Sequence, residues 1–464
     1  MSLVITRFAP SPTGFLHIGG IRTALVNYLL TKKSKSQNKD SKFFLRIEDT
    51  DKQRSEDKYL ESIISGLNWL NIKWDGEIYK QSNNLKNHLE IANKLLNTNG
   101  AYKCICSSEK LDNLRKDNLS KGLSIKRLCK TCENDKEIQS LEKNFCIRIK
   151  IRDDNYTQIK DEIQGNIKVS NNEIDNFVLV RNDGTPTYML SVVVDDHLMG
   201  ITHIIRGDDH LNNAFRQLHL YKNLNWKIPI FAHIPLMHGN DGKKLSKRHG
   251  STDINEFKDK GYLPESIINY LIKLGIDSTD DEFVNVNSIL ENFKLESIVK
   301  SPSKFDFDKL NFINSHYLMN LDNDFLTNKL INDFNLKFNI EKKQLIINII
   351  DIYKKRSKTI KELYDIILNY LGENNKQIKL TLNKESIEIL RKFYNIILKE
   401  EDWSEDNIKL IINDFLKNNK IKFIDLGEPL RLILTGNSKG PSVYDIFYIL
   451  GKTNTLKKIN NFLI

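Results

Sequence analysis

The sequence predicts a doubly wound, Rossmann-type α/β domain, interrupted by an insertion and followed by one or two all-helical modules. Three observations carry this reading. The first fifty residues form a strand–helix–strand unit with a Pro/Gly loop at its first crossover. A cysteine-bearing stretch with several short strands breaks that pattern from about residue 103. Beyond about residue 315 the apolar residues take up helical spacing.

LVITRF at 3–8 is a short β-branched run that stops at the loop APSPTG, residues 9–14. The helix that follows places Ile21, Leu25, Tyr28 and Leu29 on one apolar face, with Lys32 and Lys33 in its last turn. FFLRI at 43–47 is the next strand and ends at Glu48. The α/β pattern returns at Leu190–Val194, and ITHII at 201–205 is a strand running into RGDDH at 206–210. Ile360, Leu363, Tyr364, Ile367 and Leu371 follow amphipathic helix spacing, as do Ile387, Leu390, Tyr394 and Ile397. The expected regions are therefore 1–102 with 188–240 as the α/β domain, 103–187 as its insertion, 241–320 as a basic-loop region, and 321–464 as the helical part.

The chain has 464 residues, with 70 Lys+Arg against 60 Asp+Glu and a net charge of +10. Such a balance favours a polyanionic partner. No apolar run approaches the roughly 18 residues of a membrane span, and the start MSLVITRFAPSPTG has no signal-peptide pattern. The expectation is a cytoplasmic protein without a membrane partner.

Two motifs carry chemistry. FLHIGG at 15–20 opens the first helix, where backbone N–H groups attract anions and Gly19 and Gly20 let a nucleotide approach the main chain. His17 can donate to charge that builds on phosphate oxygens during displacement. KLSKR at 244–248, preceded by GNDG, concentrates Lys244, Ser246, Lys247 and Arg248 in a loop suited to neutralise a departing pyrophosphate. Alone, each is equally a turn with an incidental histidine or an exposed basic turn. Together, in this order, they describe ATP handling, with His17 and Lys247 as the catalytic pair around one nucleotide.

These segments, with RFAPSPTG at 7–14, RIEDTD at 46–51, PTY at 186–188, VDDHLMG at 194–200, RGDDH at 206–210 and GYLPE at 261–265, resemble the bacterial-type glutamyl-tRNA synthetases, a class I family. PLR at 429–431, LTG at 434–436 and LGK at 450–452 extend the likeness almost to the C-terminal end. Gly20 stands where the general class motif has a second histidine, which leaves His17 as the only one there. By this resemblance Arg7, Ala9, Ser11, Glu48, Tyr188 and Arg206 hold L-glutamate. A substrate with two carboxylates and one ammonium suits two arginines and one carboxylate. The resemblance also implies a monomer that uses ATP with Mg²⁺. Its insertion would bind the tRNA acceptor end, the 241–320 region the stem, and the helical region the anticodon of tRNA(Glu).

Cys104 with Cys106, and Cys129 with Cys132, suit a tetrahedral structural Zn²⁺, against the plainer reading of four reduced thiols. Cys146 alternates as a core strand residue. His210 and His249 adjoin the motifs and are candidate ATP contacts, whereas the adjacent Asp195 and Asp196 read as capping or structural residues. The function so implied is glutamate–tRNA ligase. The alternatives are an enzyme that also charges tRNA(Gln), glutaminyl-tRNA synthetase, a shortened enzyme that glutamylates a tRNA base, and a non-catalytic tRNA-binding relative. More than two hundred helical-textured residues after Arg248 argue against the shortened enzyme and the glutaminyl form.

Overall fold

A computed structural model describes every residue except 1–2, 52–53, 123–125, 127, 152–154, 246–251, 277–278, 339–341, 372–381 and 438–439. Its contacts form two compact units. One comprises Met1–Phe257 with Ile267–Asp306, the other Lys258–Ser266 with Phe307–Ile464.

In the first unit, β1 (Ile5–Phe8) leads through α1 (Ile18–Lys35) to β2 (Lys42–Ile47), and α2 (Asp57–Trp69) leads to β3 (Tyr79–Lys80). These three strands are parallel, in order β1-β2-β3. After α3 (Leu85–Asn97), β4 (Ala101–Cys104) begins the insertion. Short helices α4 (Ser108–Ser120), α5 (Lys130–Asn134) and α6 (Lys136–Ser140) follow, then β5 (Cys146–Ile149), the hairpin β6 (Tyr156–Asp161) with β7 (Gly165–Ser170), and β8 (Val178–Val180). The second parallel set comes from α7 (Tyr188–Leu198), β9 (His203–Gly207), α8 (Leu211–Asn223) and β10 (Ile230–Ile234). Its sheet is mixed and runs β7-β6-β10-β9, with β10 parallel to both β6 and β9, and β7 antiparallel to β6. The two sets meet along β1 and β9: the Thr202 amide donates to the Ile5 carbonyl at 2.9 Å, and the Ile5 amide to the Thr202 hydroxyl at 2.8 Å. That seam is where strand order reverses, the place at which such sheets bind ligands.

The insertion does not stand apart as the four expected regions required. Ile147, Ile149 and Leu179 share one apolar core with Leu190, Val193, Ala214 and Phe231 of the α/β part. Only the patch around the cysteines, with Tyr102 and Leu111, forms its own small cluster. Residues 241–320 likewise divide between the two units.

Helix α1 departs from the amphipathic expectation. It is buried on most sides, including Arg22, Asn27, Thr31 and Ser34, while Tyr28 is half-buried. After α9 (Ile254–Asp259) and α10 (Pro264–Lys273), α11 (Val286–Leu290) packs on its outer side, where Lys33 donates to the Glu291 and Phe293 carbonyls at 2.8 Å. The buried hydroxyls and the Asn27 amide nitrogen find partners, as burial demands. Thr31 bonds the Thr6 hydroxyl at 2.8 Å, Ser34 that of Ser41 at 2.9 Å, and Asn27 donates to the Thr23 and Ile205 carbonyls.

The second unit is helical, from α12 (Phe307–Met319) to α19 (Val443–Leu463), around a core that includes Leu318, Ile346, Leu363, Phe393, Leu430 and Phe447. Ile360, Leu363 and Ile367 are buried as their spacing predicts, with Tyr370 as the fourth. Leu390 and Ile397 are buried with Phe393, while Ile387 and Tyr394 are half-buried. The glycine of LTG, Gly436, closes its helix at φ 74°, a left-handed cap that glycine takes without strain. Among the described residues no helix is long and apolar enough to cross a membrane.

Candidate active site

At the seam between β1 and β9 lies a cleft of about 510 Å³. Ten of the residues expected to bind substrate line it together: Arg7, Ala9, Ser11, His17, Gly19, Gly20, Glu48, Tyr188, Arg206 and Lys244. Ser246, Lys247, Arg248 and His249 lie outside the described residues.

His17 is the N-cap of α1, and its Nδ1 accepts the Gly20 amide at 3.2 Å. An accepting Nδ1 leaves the proton on Nε2. Desolvation first, then the Lys244 ammonium, push the imidazole pKa down, which keeps the ring a neutral donor. Gly19 is required by this cap, because a Cβ there would stand 2.9 Å from the ring. Lys244 reaches the cleft from the strand-like turn after β11 (Met237–His238) and pairs with Asp209 at 2.9 Å. The main chain then returns to the helix start. The Ile18 amide donates to the Thr252 carbonyl at 2.8 Å and the Ile254 amide to the Leu16 carbonyl at 2.9 Å.

The other end of the cleft is organised by Asp196, fully buried on α7. It accepts from Arg7 Nε at 2.9 Å and from Arg46 Nη1 at 2.6 Å, and Arg46 also reaches Glu48 at 3.2 Å. Against the upward push of burial, Arg46 and Arg7 hold the Asp196 carboxyl below its usual range. Burial outweighs the same arginines at Glu48 and raises its pKa. Arg7 is thus engaged by protein, through Nε and Nη2 on Asp196 and through Nη1 on the Ile205 carbonyl at 3.4 Å, and Glu48 on one oxygen, rather than both standing free for substrate. The capping or structural role expected of Asp195 and Asp196 becomes more specific. Asp195 gathers Tyr79, Gln81, Asn84 and His88 within 3.2 Å, and Asp196 holds the arginines.

Arg206, also buried, donates from Nε to His233 at 3.2 Å and from Nη2 to the His210 carbonyl at 3.4 Å. Tyr188 and His210 contact each other at 3.3 Å. Burial first, with Arg206 second, lowers the His210 pKa to about 4. Asp209, Asn213 and Arg22 complete the lining. The motif RGDDH held the signal for Asp209, but nothing in the sequence marked Arg46, Asp161 or His233 as site residues.

About the cysteines, Cys104, Cys106, Cys129 and Cys132 bring their sulfurs within 4.8 Å of one another. Contacts run at 3.1 Å from Cys129 to both Cys104 and Cys106, and no disulfide forms. Four converging soft donors fit a tetrahedral metal. Gln139 braces the group, bonding both main-chain groups of Lys103 at 2.9 Å and the Cys132 carbonyl at 2.6 Å. Cys146 is buried in the same small cluster.

Comparison with known proteins agrees with this architecture. Residues 3–312 match the family model "tRNA synthetases class I (E and Q), catalytic domain", and residues 318–463 an "Anticodon binding domain". The chain is 41% identical to glutamate–tRNA ligase 2 of Rickettsia prowazekii (strain Madrid E), over 99% of this chain and 98% of that one. It is 42% identical to the enzyme of the same name from Rickettsia felis, over 99% of each. The crystal structure of a glutamate-tRNA synthetase from Elizabethkingia anophelis matches at TM-score 0.81 and 30% identity, covering both chains fully. With the matched segments spanning both units, the chain belongs to the class I tRNA synthetases (E and Q).

Proposed function

We propose that this chain is a glutamate–tRNA ligase: it activates L-glutamate with ATP and transfers it to the 3′ end of tRNA(Glu). The observation that carries this is the single cleft with a histidine-capped helix start at one end and a cluster of arginines around Glu48 at the other. Full-length relatives named glutamate–tRNA ligase support the choice of amino acid.

In the first step the glutamate carboxylate attacks the α-phosphorus and pyrophosphate leaves. His17 Nε2–H donates to the phosphate oxygens, while Lys244 and Lys247 offset the departing charge. Gly19 and Gly20 let the nucleotide approach the main chain, and Ser246 and Arg248 extend the same cationic loop. Bound with ATP, Mg²⁺ would supply further charge neutralisation. Arg206 and Arg7 grip the substrate carboxylates beside Ala9 and Ser11. Glu48 accepts from the α-ammonium, and Tyr188 closes the pocket. In the second step the terminal ribose hydroxyl attacks the activated carbonyl. The enzyme contributes position and charge, with no covalent intermediate of its own. Cys104, Cys106, Cys129 and Cys132 would hold one structural Zn²⁺, which would supply a crosslink within the insertion.

ATP–pyrophosphate exchange with glutamate, run with and without tRNA and with glutamine as competitor, tests the assignment. Absence of glutamate-dependent exchange under all conditions would favour a non-catalytic relative. Charging of tRNA(Glu) and tRNA(Gln) side by side measures how far the second is also a substrate.

A further inference from the structure

Three neighbouring strands carry a chain of polar groups that ends on Arg206. Asp161 closes β6, His233 lies on β10 and Arg206 on β9, with His233 and Arg206 directly opposed in the ladder. His233 Nδ1 stands 2.6 Å from Asp161 Oδ2, and its Nε2 stands 3.2 Å from Arg206 Nε. All three side chains are buried.

The donor inventory fixes the direction. Arg206 Nε–H can only donate, so His233 Nε2 accepts, which makes the imidazole neutral with its proton on Nδ1. That proton goes to the Asp161 carboxylate. The carboxylate is itself held by the amides of Ile163 at 3.0 Å, Gln164 at 2.8 Å and His233 at 3.1 Å. Gln164 returns a bond from its side chain to the His233 carbonyl at 3.0 Å. A carboxylate holding an imidazole in one tautomer is a known way to aim a third group. Here the aimed group is a cation. Its Nη1 is buried in the cleft wall without a protein partner, a costly state for a guanidinium unless a ligand completes it.

We propose that Asp161 and His233 are positioning residues that set the guanidinium of Arg206 for the substrate carboxylate, through a relay crossing the sheet from the insertion hairpin. The inference rests on the reading of Arg206 as a glutamate ligand. Asp161 fixes the tautomer, the tautomer fixes Nε, and Nη1 is left facing the substrate.

The test is ATP–pyrophosphate exchange by the full-length protein with tRNA present, varying glutamate and ATP separately. The variants are Arg206→Ala, His233→Phe, His233→Gln and Asp161→Asn. His233→Phe should raise the KM for glutamate roughly tenfold, the loss of one charge-assisted hydrogen bond, with the KM for ATP within about twofold. His233→Gln, whose amide oxygen can accept from Arg206, should recover most of that loss. Asp161→Asn keeps the size but presents an amide donor to Nδ1. It should move the proton to Nε2 and behave like His233→Phe. Equal rises in both KM values, or wild-type behaviour of Asp161→Asn, overturn the relay. If Arg206→Ala leaves the KM for glutamate unchanged, the ligand role of Arg206 falls, and the relay with it. Should His233→Phe fold poorly, Asp161→Asn and His233→Gln still decide the question.

Discussion

The Gly20 amide donates to Nδ1 of His17 at 3.2 Å, so the imidazole that caps the helix keeps its Nε2 proton for the phosphate contact proposed for it. The two roles separate in His17→Asn. Asparagine is as good an N-cap, so stability should change by less than about 1 kcal/mol. The Nε2 donor is lost, and pyrophosphate exchange should fall roughly a hundredfold. Melting curves and exchange rates on the same preparation check this, and a large loss of stability would contradict it.

Lys244→Ala and Lys247→Ala should each reduce adenylate formation by about two orders of magnitude while leaving the KM for glutamate within about twofold. Steady-state exchange at varied glutamate separates the two effects. An equal loss in both would remove these lysines from the phosphate end of the cleft.

Asp196→Asn leaves Arg7 and Arg46 buried without their shared counter-charge. Breaking such a buried pair costs about 3–5 kcal/mol, so the melting temperature should drop by several degrees. Glutamate binding should weaken as well, because Arg46 also orients Glu48. Calorimetric melting together with a glutamate titration measures both consequences.

Elemental analysis of the purified protein should find about one zinc per chain. Cys129→Ser removes the sulfur that contacts both Cys104 and Cys106, and should abolish zinc retention and expose the insertion to protease. Undiminished metal content in that variant would place the zinc elsewhere.

Burial lowers the His203 pKa from its ordinary value to about 4. The unfolded chain then takes up the proton first, so stability is full above about pH 6.5 and is lost as pH falls towards 4. For this one group the loss amounts to about 3 kcal/mol at most. Melting temperature should fall between pH 7.5 and 5, and His203→Asn should flatten that slope.

Local pattern carried much of this into view from sequence. The strand that carries Arg7, the HIGG turn with His17, and the strand that leads into Glu48 are contiguous signals, and each of these side chains lines the expected cleft. What escaped was pairing across distance. Asp196 meets Arg7 and Arg46 from 189 and 150 residues away. No local rule distinguishes an aspartate that neutralises two arginines from one that caps its own helix. The error at α1 has a related cause. Periodicity assumes one wet face, but α11 and the residues after it cover one side of this helix, while Thr31 and Ser34 are buried against the sheet side with the hydroxyls of Thr6 and Ser41 as partners. The spacing of the two cysteine pairs already pointed to one four-sulfur site, and the four sulfurs do converge.

The bonds joining residues 16–18 to 252–254 are made by peptide groups alone and so take no account of which side chains those positions carry. Mutational drift in the long excursion between them, even growth of its loops, leaves residues 16–18 and 252–254 fastened. Proline in place of Ile254, lacking an amide hydrogen, would remove one of the two bonds, that to the Leu16 carbonyl, without touching any reacting group.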